Sequence, residues 1–143
     1  MASLRWRRDR RSRGQALAEF ALVLPIFLLI LFGIIDGGRM IFSNNHLSEA
    51  AREGSRWGSV QGRSTTATGR TTIVDETTAR IVGVPNVDVT VACERNEAPI
   101  ANCRSGDVLI VTVQSDFQLV TPFLSNLIGD QTLTATSKVM VNQ

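Results

Sequence analysis

The chain has 143 residues, about one domain's worth; 43% are hydrophobic and 20% charged, which excludes a disordered chain. The net charge of +2 is unevenly placed: residues 1–13 carry six Arg and one Asp, and the remaining 130 residues carry nine basic and twelve acidic groups. The basicity belongs to the N-terminal tip and not to a folded face, which argues against a nucleic-acid partner, and one His and two Cys cannot supply four ligands for a structural zinc.

After the basic tip comes an apolar run, Ala16 to Ile35, interrupted only by Glu19 and Pro25. As a helix these residues span ~30 Å, the thickness of a bilayer's hydrocarbon core. A helix apolar on every side is not what a small soluble domain needs. The Arg cluster predicts a cytoplasmic N-terminus and an extracytoplasmic C-terminal part. A cleaved secretory signal is the competing reading, but the run is longer than a signal core and no Ala-x-Ala site closes it. Glu19 is costly inside lipid and is by default a functional candidate, unless it snorkels to the headgroups. Pro25 removes a backbone donor and predicts a kink or loosening of the helix. Gly33 and Gly37 form a Gly-x-x-x-Gly spacing that lets helices approach closely.

The segment Arg13-Gly14-Gln15-Ala16-Leu17-Ala18-Glu19-Phe20 resembles the processing site of a type IV-type prepilin. Together with Leu22-Val23-Leu24-Pro25, Gly33-Ile34-Ile35-Asp36-Gly37-Gly38-Arg39 and Ala50-Ala51-Arg52-Glu53-Gly54-Ser55-Arg56, it resembles the TadE-like family, minor pseudopilins of the tight-adherence (Tad, or Flp) pilus system. The strong resemblance covers roughly residues 10–60. It implies that residues 1–14 are a leader cut by a prepilin peptidase between Gly14 and Gln15, with Glu19 fifth and Phe20 sixth in the mature chain. It further implies a role for Glu19 in assembly register, and partnership with the membrane, other pilins and pseudopilins, and the pilus assembly platform. Cleavage removes the cationic tip, which lowers the barrier to leaving the membrane. It also creates an amine at Gln15, and such a cation paired with Glu19 of a neighbour fixes axial register in a low-dielectric bundle.

Residues 36–57 predict a helical extension outside the membrane, with Met40, Leu47, Ala50, Ala51 and Trp57 near one stripe. Glu49–Arg52 and Glu53–Arg56 are opposite-charge pairs at i,i+3 spacing. His46 has no companion at ligand spacing and reads as a packing residue. Residues 58–72 are rich in Ser, Thr and Gly and predict a flexible linker.

Residues 73–143 predict a small head, so that the fold class is α+β: a long N-terminal transmembrane, pilin-like helix, then short helices and a three-stranded antiparallel sheet. Ile73, Val74, Thr77 and Ile81 lie at helical spacing, closed by Gly83 and Pro85. Val87, Val89, Val91 and Cys93 alternate with polar or small residues in a first strand. Leu109, Val111, Val113 and Phe117 share a face of a second, central strand. Leu133, Ala135, Val139 and Val141 do so in a third. Thr121-Pro122 and Gly129 bracket a short apolar helix. A meander of these strands packed on the long helix is the expected layering.

Cys93 and Cys103 would meet outside the cytoplasm, and a bridge closing so short a loop contributes roughly 3 kcal/mol to a small head. No phosphate-binding loop, zinc-protease motif or nucleophile elbow is present. Asp75/Glu76 and Glu94/Glu97 read as solvated charges. No catalytic residue, metal ligand or cofactor is expected, and an enzyme is the least supported reading. The leading one is a structural pseudopilin. The alternative is a single-pass membrane protein with an uncleaved signal anchor, whose extracytoplasmic head binds a ligand or partner.

Overall fold

A computed structural model of the chain describes residues 6–60 and 67–142. Helix α1, Trp6–Val60, is one continuous element of 55 residues that passes through Pro25 without ending. At 1.5 Å per residue it is ~80 Å long. From Gly14 to Ile35 its apolar side chains face outward on all sides, with Leu17 68% and Leu22 71% exposed. Beyond Ile35 one stripe turns inward: Asp36, Ser43, Leu47, Ala50, Ala51, Gly54, Ser55, Gly58 and Ser59 are buried. These positions recur at three- and four-residue steps, the spacing of one helix face.

That stripe carries the head. Helix α2, Ala67–Ala79, precedes four strands, β1 Val87–Arg95, β2 Ala98–Ile100, β3 Val108–Phe117 and β4 Gln131–Met140, with helix α3, Pro122–Ile128, between the last two. The sheet is antiparallel with order β2-β1-β3-β4. It is α+β, as expected, with the second of the three expected strands in a central position. One face packs on α1 and α2, joining Leu47, Ala51, Ile73, Val89, Leu109, Val111, Val113 and Leu133 in a single core. The other face is largely polar, with Thr90, Thr112 and Thr136 in register across three strands and a buried Ile110 beside them. The Thr112 and Thr136 hydroxyls lie 3.3 Å apart.

Small residues set how close the layers come. A Cβ on Gly54 would lie 2.1 Å from Thr77 Oγ1, and one on Gly58 would lie 2.7 Å from Ile73 Cδ1 and 2.8 Å from Leu109 Cδ2. Across this contact Ser55 Oγ and Ser137 Oγ hydrogen-bond at 2.8 Å. Thr77 satisfies its own buried hydroxyl by donating to the Ile73 carbonyl at 2.7 Å.

Four expectations are corrected. The sheet has four strands, because Asn96 and Glu97 form a two-residue turn with φ of 49° and 64° that returns the chain as β2. Two left-handed residues are the requirement of a tight hairpin, and Pro99 is tolerated because β2 is an edge strand. The three expected strands, β1, β3 and β4, are neighbours in chain order as the expected meander requires, and β2 is added at the β1 edge. The linker expected over 58–72 is helical at both ends: α1 runs on to Val60 and α2 begins at Ala67, while residues 61–66 lie outside the described residues. Gly69, Ile73 and Thr77, four residues apart and all buried, form the face that α2 presents to α1. Met40, expected on the inward stripe, is exposed, and the stripe is completed by small residues instead. Glu53 and Arg56 pair through two contacts of 3.1 Å, whereas among the described residues Glu49 and Arg52 form no ion pair.

At the end of the head farthest from Gly14, Cys93 and Cys103 are joined by a disulfide with a Cα–Cα distance of 5.4 Å. Beside it, Asp107 receives the Arg95 guanidinium at 2.6 and 2.7 Å and the Arg104 amide at 2.6 Å. The Asp107 backbone carbonyl accepts from the Val141 amide at 2.8 Å, which ties the end of β4 to this loop. The Arg95 hydrogen bonds outweigh burial and, with the Arg104 amide, pull the Asp107 carboxyl down to about 2.

Two outcomes follow from this packing. Gly54→Val destabilises the head by ~1–3 kcal/mol through overpacking against Thr77, measured by urea denaturation of the full chain in detergent with Trp57 fluorescence. Gly38→Ala, where a Cβ meets nothing within 4 Å, leaves the midpoint unchanged or raises it. The Asp107 carboxylate is stabilised in the folded state, so its contribution is complete above the ordinary value of 3.8 and is lost as pH falls toward about 2. Asp107→Asn therefore lowers the melting temperature at neutral pH, and its deficit relative to the parent closes across that acid window.

Candidate functional site

The residues singled out in the sequence do not converge on a cavity. Gly14, Gln15, Glu19 and Phe20 lie along the exposed N-terminal part of α1, and Gly33 is ~28 Å farther along the axis at 1.5 Å per residue. The Gly14–Gln15 bond is inside the continuous helix, in the open. Gln15 Nε2 donates to Glu19 Oε1 at 3.4 Å, so the two positions named for processing and register face each other across one helical turn. Phe20 is exposed on this surface. A Cβ at Gly33 or at Gly37 would meet no atom within 4 Å, so the head does not occupy the space they leave. Pro25 lies between the two groups without interrupting the helix. Cys93 and Cys103, bonded to each other, are at the opposite end of the molecule and do not belong to this surface.

The site is thus a helix side, apolar and unpaired, with one acid near its start and two glycines near its end. Two groups of other residues border the head. An open groove of about 580 Å³ between α1 and the end of α2 is lined by His46, Glu49, Arg52, Glu53, Arg80 and Val82. Its charges are partly paired, Arg80 with Glu76 at 2.7 Å and Arg56 with Glu53 at 3.1 Å. His46 packs against Phe42 with ring centroids 4.2 Å apart and the rings tilted by 55°, a packing role. Among the described residues no cluster of His, Cys, Asp and Glu is suited to a metal ion.

Asp36 is the residue that the sequence reading passed over. It is only 2% exposed, although it immediately follows the apolar run. Its Oδ1 accepts the Val120 amide at 3.0 Å, and its Oδ2 accepts the Thr121 amide at 3.0 Å and the Thr121 hydroxyl at 2.6 Å. Arg39, one turn on, stands 3.5 Å from the same carboxylate, with its guanidinium 5.3 Å from the centre of the Phe117 ring. Thr121 precedes α3 where an N-cap was expected, but its hydroxyl makes no cap bond to the helix. It is committed to Asp36. The only signal in the sequence was an acid set among glycines at the outer end of an apolar helix.

Residues 14–56 match the family model of TadE-like proteins. The match bears out the resemblance read from the sequence, and it covers α1 from the exposed apolar part through the Ala50–Arg56 stripe that packs on the head. The head, beyond residue 56, lies outside the match. Neither the curated proteins nor the solved structures yield a match to the chain. The matched helix is also long and apolar enough to cross a membrane, with a mean hydropathy of 2.6 over its best window and none of that window buried.

Asp36→Ala leaves two amides and a hydroxyl at positions 120 and 121 without their acceptor, at a cost of ~1–3 kcal/mol. Hydrogen exchange of the full chain in detergent should show faster exchange at the Val120 and Thr121 amides, with the β1–β3 ladder unchanged.

Proposed function

We propose that the chain is a minor pseudopilin of a Tad/Flp-type adhesive pilus. It is inserted once in the cytoplasmic membrane with the Arg-rich end inside and the head outside, cut after Gly14 by a prepilin peptidase, and joined to other pilins and the assembly platform through the side of its N-terminal helix. The observation that carries this reading is the unpaired apolar surface of Gly14–Ile35, within the segment that matches the TadE-like family, with Glu19 at the fifth position after Gly14.

The physics of the surface supports it. Lipid tails are as apolar as these side chains, so moving the helix from lipid into a bundle of helices gains little from the hydrophobic effect. Close packing and polar contacts must decide the arrangement instead. Gly33 and Gly37 leave room for a second backbone, and Glu19 is the only ionisable side chain between Gly14 and Ile35. Before cleavage it has the Gln15 side-chain amide. After cleavage an ammonium group appears at that same residue, and a Glu19 of a neighbouring subunit gains a charged partner. Gly14 makes the helix easier to open at the scissile bond, since glycine in a helix interior costs ~1 kcal/mol relative to alanine.

The test is expression in a host with a Tad prepilin peptidase and pilins, followed by intact-mass analysis and crosslinking. The parent should begin at Gln15 and crosslink to other pilins. Glu19→Ala and Glu19→Gln should insert and be cut normally, because insertion needs only the apolar run. Both should lose most of their crosslinks, because an unpaired charge left in a bundle costs ~3–5 kcal/mol. A chain that still begins at Met1 supports the uncleaved anchor with a binding head. Normal crosslinking and piliation of both variants sinks the register role of Glu19.

A further inference from the structure

We infer that α3 and the residues leading into it rest on the outer surface of the lipid bilayer, giving the head a second, interfacial contact with the membrane beside α1. The inference rests on the reading of residues 16–35 as a membrane span.

The placement comes from Asp36. It is the first residue beyond the apolar run, and it holds the amides of Val120 and Thr121, the two residues that lead into α3. The start of α3 is therefore fixed at the height where the span leaves the hydrocarbon. The strand that follows confirms the direction. β4 leaves this end, passes Ser55 at Ser137, and finishes where the Asn142 amide meets the Ser59 carbonyl at 3.4 Å. The head thus stands along α1 with α3 at its membrane end and the Cys93–Cys103 bridge at its far end.

The composition fits the place. From Gln118 to Gly129 no residue carries a charge, and α3 reads Pro-Phe-Leu-Ser-Asn-Leu-Ile. Val120 is 57%, Leu127 72% and Ile128 55% exposed, although the head has a core of its own that they do not enter. An exposed apolar cluster on a small head signals a contact surface. Its Val120 is tied by its amide to Asp36, directly after the exposed apolar surface of α1, and in the reading of residues 16–35 as a span the solvent of that surface is lipid. Short apolar segments with polar residues among them settle at the headgroup boundary in this way.

The experiment uses the full chain, reconstituted at low protein density in phosphatidylcholine–phosphatidylglycerol vesicles with or without brominated acyl chains. On a background of Trp6→Phe and Trp57→Phe, single tryptophans are introduced by Leu31→Trp in the span and Leu127→Trp in α3. A third chain keeps Trp57 alone as the reporter of the far end of the head. Brominated lipid should quench Leu31→Trp and Leu127→Trp and leave Trp57 emission unchanged. Adding Ile128→Asp to Leu127→Trp should relieve much of its quenching. Quenching of Leu31→Trp without Leu127→Trp overturns the inference and keeps the span. Loss of quenching at both positions overturns the span and the inference with it. Quenching of Leu127→Trp that Ile128→Asp does not reduce means that the introduced indole alone seeks lipid, which overturns the inference. So does a Leu127→Trp emission shielded only as protein density rises, which would place a second copy of the chain over α3.

Discussion

The Asp36 carboxylate marks the boundary between two parts of α1. Before it the helix shows apolar side chains in every direction; after it a single face is buried by protein. A buried carboxylate is unfavourable unless its oxygens are used. Asp36 uses both, on donors 84 and 85 residues away in the sequence. The hydrogen bonds thereby convert a costly group into a fixed point, and the head acquires a defined height on the helix as well as a defined face. Arg39 closes the arrangement from the solvent side, touching both the carboxylate and the Phe117 ring.

Above that point the packing works by subtraction of side chains. Ala50, Ala51, Gly54, Ser55, Gly58 and Ser59 give α1 a nearly smooth face, and α2 and the sheet close on it. Large residues come from the other side, Ile73, Leu109, Val111 and Val113. One smooth partner and one knobbed partner fill space without voids, and the contact depends on shape more than on any single side chain. This explains why the Ala50–Arg56 segment joins two kinds of residue. Its small members face the head, while Arg52 and Arg56 remain exposed outside the contact.

Much of this was legible in the sequence, and the failures have physical causes. The apolar run, the alternation in Val87–Cys93 and in Leu109–Val113, and the central place of β3 follow from one-dimensional periodicity. β2 did not, because its turn uses Glu97 at a left-handed position where Gly is the usual signal. The first residues of α2 did not, because Ser, Thr and Gly compose flexible linkers and close-packed helix faces alike. Gly69 became a packing residue only when α1 was placed against it. Thr121 was read at the right position with the wrong partner, since the local rule for N-caps is blind to an acid on another element. Asp36 itself sat inside a motif read for its glycines. Periodicity cannot announce a hydrogen bond across 84 residues.

The division of α1 also separates two tasks that a shorter helix would confuse. The exposed part is apolar on every side, so in lipid it has no preferred azimuth, and rotation about its axis costs little until a polar or small-residue contact intervenes. The head limits that freedom. Asp36 and the small-residue stripe bind it to one face of the helix, and the helix is continuous from Trp6 to Val60. Turning the head therefore turns Gly33 and Gly37 with it and, through the continuous helix, Glu19. The Glu19 carboxylate near the start of the exposed part and the open space beside Gly33 and Gly37 near its end are then presented in one angular relation to the head. Such a relation is what lateral assembly of helices with no hydrophobic driving force requires, because polar contacts act over a few ångströms and only in one orientation. The head, in this account, is the part that makes a featureless apolar helix directional.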